Sequence, residues 1–178
     1  MAQQSKGPDQ GRPNQGQPGK GQPGKGQPGK GQPGKGQEDV PLYTNVDDDL
    51  YDELTQLEGQ KVVHVEVWED SLSTALEGAE VEPQEQASFD IDLYLADGAY
   101  FELYSAVCFD SPDGDPWQGL ETAGARLTAA ARQGAALQEI AVDEEDQLVL
   151  VLTYGGGKQI YLPVAAWLLE EWDELPGA

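Results

Sequence analysis

Nucleophilic catalysis needs a nucleophile held beside a base, and this chain carries one cysteine, Cys108, and one histidine, His64. Cys108 lies in the apolar stretch Ala106-Val107-Cys108-Phe109, which reads as a buried, inert thiol. A single cysteine also excludes an intrachain disulfide and a multi-cysteine zinc site within one chain. His64 falls on the polar side of a valine-rich alternation, and nothing in the sequence pairs it with Cys108 or a serine. A solvent-facing or structurally hydrogen-bonded histidine is therefore expected in place of a catalytic base. Gly155-Gly156-Gly157-Lys158 shares a Gly-Lys step with phosphate loops. It lacks their spaced first glycine and the Ser or Thr after lysine, and it joins two strand-like segments, so it reads as a hairpin turn. No catalytic residue and no cofactor are expected, and the chain reads as a non-enzyme.

Acidic side chains offer other chemistry. Asp110, Asp113 and Asp115 cluster in a loop rich in Gly and Pro, and Glu121 stands eleven positions after Asp110. Calcium sites draw several oxygens from such loops. Here Pro112 and Gly114 occupy the third and fifth positions of that pattern and offer no side-chain oxygen, so these four are metal candidates that their own spacing argues against. Asp47, Asp48, Asp49 and Asp52 read as charge at a helix N-terminus, and Asp143 to Asp146 as a solvated turn. Paired carboxylates can do general acid–base work, but no flanking signature singles out a pair. Among the tryptophans, Trp68 falls on the polar face of its strand and Trp117 sits beside the acidic loop. Aromatics rimmed by acids suit a surface that binds a basic partner, which makes Trp68 and Trp117 the candidate partner-binding residues. The plainer reading is that both cap the edges of the core.

Charge divides the chain. Over residues 1–37 the basic residues Lys6, Arg12, Lys20, Lys25, Lys30 and Lys35 face a single acid, Asp9. From Glu38 onward Lys61, Arg126, Arg132 and Lys158 stand against 32 acids, leaving that part at −28 within a chain of net charge −23. So negative a body repels nucleic acid and anionic membranes and favours basic partners or cations. The start has no apolar h-region, and the longest strictly apolar run, Val164 to Leu169, is far too short to span a bilayer. No membrane association and a cytoplasmic location are expected.

The first part is a repeat. Gly16-Gln17-Pro18-Gly19-Lys20 recurs without change at 21–25, 26–30 and 31–35. Apart from proline the repeats hold no apolar side chain, so nothing offsets the entropy of ordering them, and a disordered basic tail over 1–37 is expected. Its glycine spacing alternates three and two, which excludes collagen. Read as Gln-Pro-Gly-Lys-Gly, the unit resembles the pentapeptides of elastin-like sequences, with Gln in place of their apolar residue. Phosphate affinity through this tail is weak and salt-sensitive at best, and it has no aromatics to stack on bases. It reads as a spacer, or as a lysine-bearing arm for a polyanion or for the acidic body.

The elements of residues 38–178 follow from periodicity. Leu50, Leu54 and Leu57 make a helical stripe over 47–58 stopped by Gly59. Val63, Val65 and Val67 alternate with His64, Glu66 and Trp68 as a strand. A mostly polar stretch over 70–87 reads as a loop. Phe89 to Leu95 alternate, Asp97-Gly98 signals a hairpin, and the return strand puts Phe101, Leu103, Ser105 and Val107 on one face. A helix over 117–133 turns Leu120, Gly124, Leu127 and Ala131 to one side. Strands follow at 137–142, 148–152 and 160–162. Shifting this second half by 57 residues lays Leu148, Leu150 and Leu152 on Ile91, Leu93 and Leu95, Gly155 on Gly98, and Tyr161 on Tyr104. The end carries Val164, Leu168 and Trp172 at helical spacing, which favours a helix over 164–174, with a final strand as the alternative. The expected fold is α+β: an antiparallel sheet, read as two β-β-β repeats, packed with two or three helices.

The hairpin Leu148-x-Leu150-x-Leu152, Gly155–Gly157, Ile160-Tyr161-Leu162, followed by Glu171-Trp172, resembles small bacterial domains of unknown function. Some of those are immunity-like or other partner-binding proteins. The resemblance covers about a fifth of the chain and implies no catalytic residues. The expected function is an acidic interaction module that binds a basic protein surface in an immunity- or inhibitor-like role. A cation-binding or structural protein with a tethering tail is the alternative, and a carboxylate-based enzyme the third.

Overall fold

The computed structural model describes residues 42–72 and 84–177. The repeat tail and most of the predicted 70–87 loop lie outside the described residues. Helix α1 (Asp48–Leu54) runs into a 3-10 turn (Thr55–Leu57). Asp47 caps α1, its Oδ1 accepting from the Leu50 N–H at 2.9 Å, while Asp48 and Asp49 put charge in the first turn where the helix dipole favours it.

Seven strands and a second helix follow: β1 (Val62–Glu69), β2 (Ser88–Leu95), β3 (Ala99–Val107), α2 (Leu120–Arg132), β4 (Ala136–Val142), β5 (Leu148–Tyr154), β6 (Lys158–Pro163) and β7 (Ala166–Glu171). The class is α+β as expected, but two antiparallel sheets stand where one was predicted, a four-stranded sheet ordered β1-β2-β3-β7 and a three-stranded sheet ordered β4-β5-β6. Short bridges join them on both sides, Lys61 with Ala136 and Phe109 with Tyr161. Hydrogen bonding therefore runs from β1 through β2 and β3 to β6, β5 and β4, and back to β1. The inner faces share a single core in which Phe89, Ile91, Leu93, Phe101 and Leu103 meet Leu137, Leu148, Leu150 and Ile160. Helix α2 adds Ala123, Leu127 and Ala130 to that core and packs on β1, where Gly124 approaches Val67. No helix among the described residues is long and apolar enough to cross a membrane.

Both halves contain a β-β-β meander, but the 57-residue shift misplaces the second hairpin. Tyr94 pairs with Tyr100 and Tyr154 with Lys158, so the turns centre on Asp97 and Gly156, 59 residues apart. The two shifts differ by two residues, the strand period, so either one lays inward residues on inward residues. The three glycines of the second turn all take positive φ, at 50°, 86° and 100°, which a hairpin of this shape requires and side-chain-bearing residues resist.

Three local expectations are corrected. The C-terminal segment is a strand, not a helix. Leu169 lies opposite Phe101 and Trp167 opposite Leu103, so the segment supplies β3 with a partner on the side that β2 leaves open. Helix formation over 164–174 would leave those β3 backbone groups unpaired, and Pro163 ends β6 only three residues earlier. In β1 the register slips between Val62 and His64, so Val62 takes the core position and Val63 is exposed. In β3 the register slips opposite Asp90, and Ser105, at φ 48°, absorbs the extra residue. Ala106 and Cys108 then face the core in place of Ser105 and Val107.

Candidate functional site

The outer face of the four-stranded sheet, opposite the core, is built from the polar positions of its alternating strands. Cross-strand register arranges them in rows. His64 of β1 stands beside Tyr94 of β2, Tyr100 of β3 and Glu170 of β7. The next row is Glu66, Asp92, Glu102 and Leu168, and Trp68 pairs with Asp90 beyond it. Directly opposed residues sit about 5 Å apart at Cβ, so Glu66, Asp92 and Glu102 form an acidic line across three strands.

Aromatic rings frame this line. Tyr94 and Tyr100 stack with centroids 4.9 Å apart and planes within 7°. His64 meets Tyr94 edge-on at 5.5 Å, and Trp172 does so at 6.3 Å while its Nε1–H donates to the Leu95 carbonyl at 3.0 Å. Tyr104 donates to Glu102 Oε2 at 2.8 Å. The Tyr100 hydroxyl lies 3.0 Å from Glu102 Oε1 and 2.6 Å from Glu170 Oε2. Trp68 reaches across with its Nε1–H 3.4 Å from Asp92 Oδ2, yet stays 50% exposed.

Electrostatics on this face are one-sided. Asp92 is 6% exposed, and burial, helped by the charges of Glu102, Glu66 and Asp90, pushes its carboxyl up to about 6 from an ordinary value of 3.8. The Trp68 N–H opposes that rise, and among the described residues no lysine or arginine contributes to the shift. Burial also raises Tyr94 to about 12, with Asp92, Glu66 and Glu102 adding to it. Tyr100 and Tyr104 are likewise pushed well up, first by burial and then by the carboxylates they contact, so all three phenols stay neutral donors.

At one end of the face a hydrogen-bonded knot holds the β3 bulge. Asp70 is 1% exposed; its Oδ2 accepts from Ser88 Oγ at 2.5 Å and its Oδ1 from Ser105 Oγ at 2.7 Å. Asp90 accepts from the Ser105 N–H at 3.1 Å and from the Ser71 hydroxyl at 2.5 Å. These serine hydroxyls and the Ser105 amide donate to both carboxylates, which is how buried charge is stabilised by hydrogen bonding.

The residues singled out in the sequence fare differently. Trp68 is exposed and stands among acids as expected. Trp117 is 4% exposed, with the Arg126 guanidinium 3.7 Å from its ring centroid, so it lies beneath the surface and offers no docking face. Asp110 pairs with Arg126 at 2.5 Å. Asp113, Asp115 and Glu121 are exposed, and among the described residues no group of three or more His, Cys, Asp or Glu is placed to hold a metal ion. Cys108 is fully buried, and burial pushes its thiol up to about 12. His64 lies 3.8 Å from Glu66, and among the described residues no hydrogen bond links it to Cys108 or a serine. Sequence reasoning missed Asp92, Glu102, Tyr100 and Glu170. Asp90-Ile-Asp-Leu-Tyr94 did signal a polar face, but which strands flank it is not a local property. Comparison of the chain with known protein families, characterised proteins and solved structures gives no match.

Proposed function

We propose that the protein is a non-enzymatic binding module that receives a basic protein surface on the outer face of its four-stranded sheet. The observation that carries this reading is the half-exposed Trp68 beside the acidic line Glu66–Asp92–Glu102, where no cation among the described residues contributes to the field at Asp92. An incoming lysine or arginine would lower the mutual repulsion of those carboxylates and could lie against the indole face, a contact that attracts cations. The surrounding negative charge would speed encounter and select against acidic competitors.

A lysine-rich peptide titrated into the full chain, followed by Trp68 fluorescence and calorimetry, tests the reading. Binding should weaken steeply with salt, and Trp68→Ala should remove about 1–2 kcal/mol, the scale of an aromatic anchor. Binding that is indifferent to Trp68→Ala and Glu102→Gln would place the contact elsewhere and sink the proposal.

A further inference from the structure

The hydroxyl of Tyr100 has one hydrogen and two carboxylate oxygens within reach, Glu102 Oε1 at 3.0 Å and Glu170 Oε2 at 2.6 Å. A phenol can donate to only one of them. With every carboxylate ionised, the other contact brings two oxygens together with no hydrogen between. One added proton on this face completes the set without moving an atom. One position along, Asp92 stands between Glu66 and Glu102, and among the described residues only a long bond from Trp68 opposes their charge.

Among the described residues, four strands present groups to this line. β1 presents His64, Glu66 and Trp68; β2 presents Asp90, Asp92 and Tyr94; β3 presents Tyr100, Glu102 and Tyr104; β7 presents Glu170, and Trp172 follows it. His64 is the one group among these able to carry positive charge, and its Nε2 lies 3.8 Å from Glu66.

We infer that the outer face is proton-linked: its carboxylate line takes up one proton on mild acidification and releases that proton to solvent when a cationic group docks. Proton uptake stands on the geometry of the free protein alone, whereas its coupling to docking rests on the binding function proposed above. The raised carboxyl of Asp92, at about 6, sets the window in which uptake occurs. Burial and the neighbouring charges of Glu102 and Glu66 place that proton on Asp92.

Two measurements separate the halves of this inference. Carboxyl carbon-13 NMR of the free full-length chain should show a face carboxyl titrating near pH 6, and Glu102→Gln should lower that midpoint by relieving the largest neighbouring charge. Normal midpoints throughout, all below 5, overturn the inference whatever the protein binds. Poly-L-lysine affinity is then compared at pH 7.5 and pH 5 at constant ionic strength. A carboxyl titrating near 6 that must be ionised to bind predicts about tenfold weaker binding at pH 5, and Asp92→Asn should largely flatten that dependence. A raised midpoint with pH-independent affinity overturns the coupling but leaves the uptake. No poly-L-lysine binding at either pH overturns the coupling and the binding function together.

Discussion

Ser105 donates its backbone N–H to Asp90 Oδ1 at 3.1 Å across the β2–β3 pair, at the one place where β3 bulges. Its φ of 48° is a conformation that costs a residue with a side chain about 1 kcal/mol. The bond to Asp90 and the Ser105 Oγ bond to Asp70 are what hold it there.

Asp90→Ala should therefore destabilise the protein by about 2–3 kcal/mol, since it strips acceptors from two Ser71 donors and the Ser105 amide. Ser105→Gly loses one hydrogen bond but relieves the backbone, so its cost should stay below about 1 kcal/mol. Ser105→Ala keeps the strain and loses the bond, so it should be the worse of the two substitutions. Urea unfolding followed by tryptophan fluorescence ranks all three. A Ser105→Gly variant less stable than Ser105→Ala would show that the bulge is not the strained point.

Asp92 makes stability depend on pH in the reverse of the usual acid-denaturation sense. Its folded value is raised, so the folded state holds a proton that the unfolded chain has already lost. Between the ordinary 3.8 and about 6 that difference erodes stability as pH rises, and above about 6 the penalty is complete. Asp92→Asn should stabilise the protein at pH 7.5 by about 1–2 kcal/mol and make no difference at pH 3.5. Thermal melts of the two proteins at both pH values decide it, and equal melting points at pH 7.5 would refute it.

Trp117 owes its burial in part to Arg126, which lies over the ring and is tied down by Asp110. Removing the guanidinium with Arg126→Ala should cost about 1 kcal/mol and open the indole to solvent. Acrylamide quenching should rise in this variant, provided that Trp68, the exposed indole, is first replaced by Phe. Unchanged quenching would mean that the surrounding backbone, not Arg126, shields the ring.

Cys108 should be silent towards a thiol reagent until the protein opens. With its thiol raised to about 12 and no exposed surface, almost no thiolate is available at pH 8. Labelling by a disulfide reagent should follow the unfolding curve in urea. Rapid labelling of the native protein would contradict the burial described for this residue.

Some of this protein could be read without its structure, because it depends on near neighbours in the chain. Asp47 three residues before Leu50, the Leu50-Leu54-Leu57 stripe, the alternation of Phe89 to Leu95 and the glycines at 155–157 each specify their own element. The exposure of Trp68 followed from the same kind of alternation, whereas the apolar run around Cys108 signalled burial but not the inward face that the bulge at Ser105 gives it. What could not be read was decided across the sheet. Val164, Leu168 and Trp172 have helical spacing, yet the unpaired edge of β3 takes the segment as a strand, since its backbone hydrogen bonds and the pocket for Trp167 exist only once β3 is in place. One-residue slips at Val63 and Ser105 leave no mark on composition, but each reverses which side chains face the core. The acidic line is the same kind of fact. Glu66, Asp92 and Glu102 lie up to 36 residues apart in sequence and become neighbours through strand register alone, and only that closeness turns ordinary carboxylates into a site.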